Sequence, residues 1–246
     1  HTWIIDANIN MGEGDDIVTL DGSYIADDPE TLITTFLPNT IDANDEFRQA
    51  AQIFGDLDLG KGDDQLTING QAFIVGDVIA GEGDDIILIS GDIDFDYNQY
   101  IDGNQSVEGA AVRGNIDTGD GDDIVIIEKD SGISNYYYTH FRPDPNDAQL
   151  PPTFDVNNIP GAGNLTTGEG DDTVILRDSA YITGNVDTGE GDDTVSLQNF
   201  ADILGNVDTG AGDDIIILQD SGEIDGNLDT GADDDTVILQ DFADIQ

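Results

Sequence analysis

The sequence predicts an all-β protein, a parallel β-solenoid (β-helix) of about eight 21-residue coils, and three observations support this fold class. A Gly-x-Gly-Asp-Asp motif occurs eight times, the last copy in the variant form Gly-Ala-Asp-Asp-Asp. The last four copies start 21 residues apart, and such a fixed period is typical of solenoids. A short run of alternating residue types follows each motif. The copies begin at Gly12, Gly60, Gly81, Gly119, Gly168, Gly189, Gly210 and Gly231.

Each coil is predicted to contain three short strands separated by turns. Counted from the first motif glycine as position 1, apolar residues recur at positions 7, 9, 15 and 19. The alternation around positions 7 and 9 predicts a half-buried strand directly after the motif. Coils stacked at about 4.8 Å would align these residues into aliphatic columns along one axis. Glycines within the motif and at position 17 favour tight turns, because glycine readily adopts positive φ.

Three coils are longer than the regular repeat. The first, third and fourth motifs are followed by gaps of 48, 38 and 49 residues, which exceed one coil by 27, 17 and 28 residues. We therefore expect three insertions, at about residues 26–52, 94–112 and 134–161, within a single domain that spans residues 1–246. All three are predicted to leave the coil between positions 13 and 17, on one corner of the solenoid, and to form one lateral lobe.

The predicted lobe differs from the coils in its aromatic and basic residues. One hypothesis is that these side chains bind an extracellular glycan or a protein partner. The other is that they form a small satellite core whose arginines pair with local acids. We favour the second, because aromatic clusters more often serve packing than binding. The candidate ligand-binding residues are Tyr136, Tyr137, Tyr138, His140 and Arg142.

The chain is strongly acidic, with 54 Asp and Glu residues against 6 Lys and Arg residues and a formal net charge of −48. Nucleic-acid binding depends on basic contacts to phosphate, so this balance argues against it. No apolar run is long enough for a transmembrane helix, and we expect no membrane insertion. A chain this acidic can be disordered. The regular apolar columns favour a folded protein instead.

The motif aspartates predict a cation site. Stacked coils would bring like charges to about 4.8 Å from one another, and unit charges this close repel by roughly 1 kcal/mol even in water. Carboxylates and turn carbonyls are the hard oxygen ligands that calcium prefers. The chain has no cysteine, and neither histidine belongs to the repeat, which disfavours zinc. The alternative is a solvated acidic face, but dispersed aspartates would serve solubility equally well.

The candidate metal ligands fall into three rows. The first motif aspartates are Asp15, Asp63, Asp84, Asp122, Asp171, Asp192, Asp213 and Asp234. The second motif aspartates are Asp16, Asp64, Asp85, Asp123, Asp172, Asp193, Asp214 and Asp235. A partial third row precedes the turn, at Asp58, Asp117, Asp187, Asp208 and Asp229. A weaker second metal row would lie around Asp178, Asn199, Asp220 and Asp241.

The motif resembles the nonapeptide of the RTX family of secreted calcium-binding proteins, Gly-Gly-x-Gly-x-Asp-x-U-x, where U is a large apolar residue. Residues 188–196, Thr-Gly-Glu-Gly-Asp-Asp-Thr-Val-Ser, match it in every fixed place but the first, where Thr188 replaces glycine. The resemblance implies that the second motif aspartate binds Ca²⁺ directly, with the ion between successive turns. RTX repeats usually run in tandem, whereas this chain has one motif per 21 residues. We therefore expect several calcium ions in one row along one edge, and a triangular or oval cross-section.

The sequence favours a non-enzymatic role. Common hydrolase, phosphate-binding and zinc-protease motifs are absent from it. The predicted function is a calcium-stabilised structural or adhesive segment of a secreted or cell-surface bacterial protein, such as an adhesin or a biofilm matrix protein. It would fold on binding calcium outside the cell. The chain begins and ends within the repeat pattern, so we expect a longer parent protein or end-to-end stacking into fibres. The alternatives are a glycan- or protein-binding module that uses the lobe, and an enzyme similar to β-helical polysaccharide lyases and epimerases.

Overall fold

The computed structural model describes residues 3–21, 51–70, 72–91, 110–134, 136–138, 156–158, 161 and 163–246. These residues form three parallel sheets of nine, eight and eight strands, with one short antiparallel hairpin, and contain no helix. The predicted parallel β-solenoid is therefore confirmed. We name the sheets by their order in a coil: the post-motif sheet follows the motif, the middle sheet comes next, and the pre-motif sheet leads into the next motif. Three sheets give the solenoid three sides.

The strands of each sheet are hydrogen-bonded to one another from coil to coil. The middle sheet contains β1 (Trp3–Asp6), β4 (Ala51–Phe54), β7 (Phe73–Val75), β10 (Ala111–Val112), β13 (Gly132–Ile133), β18 (Tyr181–Ile182), β21 (Asp202–Ile203), β24 (Glu223–Ile224) and β27 (Asp244–Ile245). The pre-motif sheet contains β2 (Ile9–Asn10), β5 (Leu57–Lys61), β8 (Val78–Glu82), β11 (Ile116–Asp120), β16 (Leu165–Thr166), β19 (Val186–Asp187), β22 (Val207–Asp208) and β25 (Leu228–Asp229). The post-motif sheet contains β3 (Ile17–Asp21), β6 (Gln65–Gly70), β9 (Ile86–Gly91), β12 (Ile124–Glu128), β17 (Thr173–Arg177), β20 (Thr194–Gln198), β23 (Ile215–Leu218) and β26 (Thr236–Leu239).

The strand registers confirm the predicted aliphatic columns. At position 7, Val174 pairs with Val195, and Val195 pairs with Ile216 in the next coil. These residues are fully buried, as are their neighbours at position 9 in the same coils. In the last described coil Val237 is 42% exposed and Leu239 is 46% exposed, because only one neighbouring coil pairs with it. The core is therefore a set of parallel columns, and each coil buries its apolar residues only between two others.

The outward side of the post-motif sheet is uncharged at positions 6 and 8, whereas its border at position 10 includes Asp21, Glu128 and Arg177. Its strands alternate between buried residues that face the core and exposed or half-buried residues that face outward. We call the outward residues at positions 6 and 8 the aliphatic face. They are Ile17, Thr19, Gln65, Thr67, Ile86, Leu88, Ile124, Ile126, Thr173, Ile175, Thr194, Ser196, Ile215, Ile217, Thr236 and Ile238.

The turn between the post-motif and middle sheets has an unusual backbone. Two consecutive residues adopt positive φ there, for example Asn199 at 52° and Phe200 at 64°. The amide of Ala201 then donates a 3.2 Å hydrogen bond to the carbonyl of Gln198, which closes a four-residue turn. Positive φ at both central residues is the geometry of a type I′ turn. Asn and Asp tolerate this backbone better than most residues, which explains why they recur at position 11.

The insertions of coils 1 and 3 leave the solenoid between the post-motif and middle sheets. The described part of coil 1 stops at Asp21 and resumes with Ala51, the first residue of β4. In coil 3 it stops at Gly91 and resumes at Ala110, which is buried. The predicted insertions 26–52 and 94–112 therefore extend too far, since the C-terminal residues of both ranges belong to the coil.

The insertion of coil 4 leaves at a different corner. Coil 4 continues through β13 to Ser134, whose amide donates to the carbonyl of Val112 at 2.9 Å. The coil resumes at Gly163, between the middle and pre-motif sheets. The insertion of coil 4 therefore lies between positions 16 and 17, within the predicted stretch of positions 13 to 17. The prediction is wrong for coils 1 and 3, whose insertions end before position 13, because motif spacing gives the length of a coil and not the place where residues are added. The lateral lobe lies outside the described residues except for the hairpin of β14 (Tyr136–Tyr138) and β15 (Val156–Asn158).

Candidate functional site

Two glycines form the turn of each motif. Gly189 has φ of +100° and Gly191 has φ of +138°, conformations that residues with a Cβ rarely adopt. A Cβ built on Gly189 would lie 1.9 Å from the carbonyl oxygen of Gly168 in the preceding coil. Glycine is therefore required here twice, by the backbone conformation and by the close approach of neighbouring coils. The turns stack tightly enough to place the aspartates that follow them in continuous rows.

The second motif aspartates lie inside the solenoid. The backbone amide of each one donates a hydrogen bond to Oδ1 of the equivalent aspartate in the following coil, at 2.7 to 3.1 Å. We call this row the aspartate ladder. Its members from coil 2 to coil 7 are at most 1% exposed. They are Asp64, Asp85, Asp123, Asp172, Asp193 and Asp214, with Asp16 and Asp235 half-buried at the two ends.

One oxygen of nearly every ladder carboxylate has no hydrogen-bond partner. These Oδ2 atoms are buried and follow one another at the coil spacing of about 4.8 Å. An unpaired buried carboxylate is costly, because burial removes its water without supplying another donor or cation. The ladder therefore needs neutralisation by a proton or by a cation. The unpartnered atoms belong to Asp16, Asp64, Asp85, Asp123, Asp172, Asp193 and Asp214.

The pKa values of the central ladder residues reflect this environment. Burial is the main cause that raises the pKa from the ordinary value of 3.8, and the charges of neighbouring aspartates add to it. The hydrogen bond from the backbone amide partly offsets the rise. Burial likewise raises the pKa of Asp64. The pKa is raised to about 6 in Asp85, Asp123, Asp172 and Asp193.

A threonine before the motif also contacts the ladder and was not among the predicted site residues. The hydroxyl of Thr188 lowers the pKa of Asp193 and so offsets part of the effect of burial. The same hydroxyl lies 3.4 Å from the carbonyl of Thr209, so its single proton is shared between the two acceptors. Thr167 and Thr118 act in the same way one and two coils earlier. The recurrence of threonine at position 21 was the available signal, although a single threonine in a strand usually needs no functional explanation.

The first motif aspartates form a separate, exposed row. Their ladder runs in the opposite direction: the amide of Asp192 donates to Oδ1 of Asp171 in the preceding coil at 2.9 Å. The two aspartates of one motif therefore lie on opposite sides of the backbone. Among the described residues, no three Asp, Glu or His side chains converge in a way that could hold a metal ion. The predicted carboxylate pairs are thus present as two distinct rows and not as ready-made clusters.

The third predicted row lies on the outward side of the pre-motif sheet. Asp187, Asp208 and Asp229 are in register and exposed. Desolvation raises the pKa of Asp187, and the charge of Asp208 adds to the effect. Earlier in the chain the row is broken, since Ile79 occupies the place between Asp58 and Asp117.

The residues of the weaker predicted metal row lie in the type I′ turn between the post-motif and middle sheets. The side-chain amide of Asn199 donates to Oδ1 of Asp178 at 2.9 Å, and both residues are exposed. Asp220 and Asp241 occupy the same place in coils 7 and 8.

The candidate binding residues of the insertion are only partly described. Tyr136, Tyr137 and Tyr138 form β14 and pair with β15, so they are adjacent in an antiparallel hairpin. His140 and Arg142 lie outside the described residues. Arg113, the other basic residue near the insertions, is buried with its guanidinium 4.3 Å from the centre of the Phe73 ring.

The basic residues in the described part of the chain form their ion pairs away from the ladder. Lys61 pairs with Glu82 on the surface of the motif turns. Lys129 and Arg177 both pair with Glu128, and these contacts lower the pKa of Glu128 against the effect of its burial. Within the described part of the chain, these ion pairs thus supply the ladder with no side-chain cation.

Comparison of the chain with protein families, with curated proteins and with solved structures gives no match. The function is therefore inferred from the residues themselves. In the described ranges, no helix is long and apolar enough to cross a membrane.

Proposed function

We propose that this chain is a calcium-stabilised β-solenoid that serves as a structural or adhesive segment of a secreted or cell-surface bacterial protein. The observation that carries the proposal is the row of buried, unpartnered Oδ2 atoms in a chain with a net charge of −48. Such a row is unfavourable while ionised, and calcium would neutralise it. The resemblance of each motif to the RTX nonapeptide supports the same ion.

The donor atoms suit a hard divalent cation. The ladder supplies carboxylate oxygens alone, and calcium accepts six to eight oxygen ligands in flexible geometry. Magnesium favours strict octahedra and retains its water, so a continuous row of equivalent carboxylates suits it less. The second motif aspartates, Asp16 to Asp235, would hold the ions, and the exposed first row would attract them electrostatically. Bound calcium would supply the positive charge that the described side chains do not.

The proposal couples folding to location. Where calcium is scarce, repulsion along the ladder would oppose stacking of the coils. Where calcium is abundant, as outside the cell, binding would stabilise the folded solenoid. A rigid rod of stacked coils is suited to extending or attaching a surface protein.

Circular dichroism during a calcium titration of chelated protein tests the proposal. We expect a cooperative gain of β signal with calcium and little change with equal magnesium. Asp193→Asn should raise the calcium concentration at the midpoint several-fold. Asp192→Asn is the matched control, since it removes the adjacent exposed carboxylate, and should shift the midpoint much less. A chelated protein that is fully folded and whose stability calcium does not change would refute the calcium role.

A further inference from the structure

The aliphatic face is unusual in so acidic a chain. Its sixteen residues include nine Ile or Leu and five Thr, and none is charged. Ile215 is 41% exposed, Ile86 39% and Ile124 37%, so the face is not covered by the solenoid itself. The core is already filled by the columns on the inner side of the same strands. Contiguous exposed apolar surface of this kind commonly marks an interaction site.

The other outward surfaces carry carboxylates. The pre-motif sheet presents Asp187, Asp208 and Asp229, and the last coils of the middle sheet present Glu223 and Asp244. Two copies that met through either surface would bring rows of like charge together. Among the described surfaces, the aliphatic face is where two copies of this chain can meet with few opposing charges, because the charged residues at its border are Asp21 and the paired Glu128 and Arg177. The near absence of charge on this face favours a partner surface that is also apolar and neutral. A second copy of the chain has such a face.

The size of the face fits a weak dimer. Eight strands at a spacing of about 4.8 Å extend for roughly 34 Å. With the bordering position 10, which is mostly uncharged but includes Asp21 and the Glu128–Arg177 pair, the outward residues from position 6 onward cover about 13 Å. Two such faces would bury on the order of 1,000 Å², which is near the lower limit for specific interfaces. The registers continue from coil 1 to coil 8 without a shift, so the face is regular along its length.

We propose that the aliphatic face is a self-association surface and that a second copy of this chain occupies it. The two post-motif sheets would pack face to face about 10 Å apart, as in a β-sandwich, related by a two-fold axis. Because each chain carries a net charge of −48, long-range repulsion opposes this contact and salt screens it. Added salt should therefore strengthen the dimer, the reverse of its effect on an interface built from ion pairs.

Analytical ultracentrifugation tests this surface, with folded protein in saturating calcium at about 1 to 100 μM. We expect a monomer–dimer equilibrium whose dissociation constant falls several-fold between about 50 and 500 mM NaCl. Ile124→Lys places a charge at the centre of the face and should raise the dissociation constant at least tenfold. Ile79→Lys is the matched control, because Ile79 is similarly exposed, at 42%, but lies on the pre-motif sheet. This control should dimerise like the parent chain.

Two results would refute the proposal. One is a monomer at every concentration and salt. The other is a dimer that Ile124→Lys leaves intact, which would place the contact elsewhere, for example at the ends of the coils. If circular dichroism shows that Ile124→Lys does not fold, Thr173→Lys tests the same face from the paired position in the next coil. These outcomes do not depend on calcium selectivity, so the dimer and the calcium role can fail separately.

Discussion

The backbone amide of Asp172 donates a 2.9 Å hydrogen bond to Oδ1 of Asp193, while Oδ2 of both residues is buried without a partner. Each ladder carboxylate is thus half satisfied. The bonded oxygen links one coil to the next, and the other carries a charge that the described residues do not balance. The ladder therefore stabilises the stacked coils when its carboxylates are neutralised and destabilises them when the carboxylates are ionised.

Removal of one ladder charge should stabilise the metal-free chain. Asp172→Asn keeps Oδ1 as an acceptor and removes the buried charge, and the change of the pKa from 3.8 to about 6 sets an upper gain of about 3 kcal/mol at neutral pH. The folded fraction in a chelator, measured from the β signal in circular dichroism, shows the effect. Asp171→Asn, on the exposed row, should change the free energy of unfolding by less than about 0.5 kcal/mol. A larger gain from Asp171→Asn than from Asp172→Asn would contradict this account.

Acid should stabilise the metal-free protein. The folded-state pKa of about 6 in Asp85 and its ladder neighbours lies above the ordinary value of 3.8. Between these values the folded chain holds more protons than the unfolded chain, so the free energy of unfolding falls as pH rises from about 4 to about 6. Unfolding in a chelator at pH 5 and pH 7.5 would show it. Saturating calcium should reverse the trend, since protons compete for the same oxygens. Equal stability at both pH values would contradict the raised pKa values.

The effect of replacing a motif glycine with alanine should depend on whether a preceding coil packs against that glycine. Gly189→Ala would combine backbone strain with a Cβ only 1.9 Å from the Gly168 carbonyl, and we expect a loss of more than about 3 kcal/mol. Gly12→Ala has similar φ, +105°, but nothing within 4 Å of the new Cβ, and should cost about 1 to 2 kcal/mol. Thermal or urea unfolding compares the two. Equal losses would mean that coil stacking adds nothing to the requirement for glycine.

In the aliphatic column at position 9, the cost of replacing leucine with alanine should depend on how deeply the leucine is buried. Leu197 is fully buried, and Leu197→Ala should cost about 2 to 5 kcal/mol through lost contacts and a cavity. Leu239 occupies the same column in the last described coil but is 46% exposed, so Leu239→Ala should cost less than about 1 kcal/mol. Denaturant midpoints distinguish these values. A similar cost at both sites would argue that the last coil is covered in solution.

The threonine before the motif should affect stability through the pKa of the ladder aspartate that it contacts. Thr188→Val removes the hydroxyl that lowers the pKa of Asp193 and leaves the size of the side chain nearly unchanged. We expect a loss of about 1 kcal/mol at neutral pH in a chelator and a smaller loss at pH 5, where Asp193 is protonated. Thr188→Ser retains the hydroxyl and should restore most of the stability. A loss of the same size at both pH values would assign Thr188 a packing role only.

The columns at positions 7 and 9 could be predicted because alternation along a strand is visible in sequence. The separation of the two motif aspartates could not. Asp192 and Asp193 follow two glycines with positive φ, where the alternation rule does not hold, so their opposite directions appear only in the structure. The corner used by the insertions of coils 1 and 3 was missed for a related reason: a gap between motifs has a length but no position within the coil.

The type I′ turn illustrates the same limit. Lone polar residues at Asp178 and Asp220 were interpreted as a weak ligand row, whereas their positive φ supplies a local reason for Asp and Asn there. A row of stacked asparagines at position 18 was also not predicted from the sequence. There Oδ1 of Asn185 accepts from the amide of Asn206 at 2.9 Å, and this contact recurs between neighbouring coils. Only coordinates distinguish such stacking roles from ligand roles.

The unequal coils have a mechanical consequence. Hydrogen bonds between coils run along the solenoid axis, so tension on the two ends would peel coils away one at a time. A regular coil of 21 residues would release about 70 Å of chain, whereas the 48 residues from Gly12 to Gly60 would release about 160 Å. A tether built this way absorbs sudden load as a series of extensions. The insertions set which extensions are long.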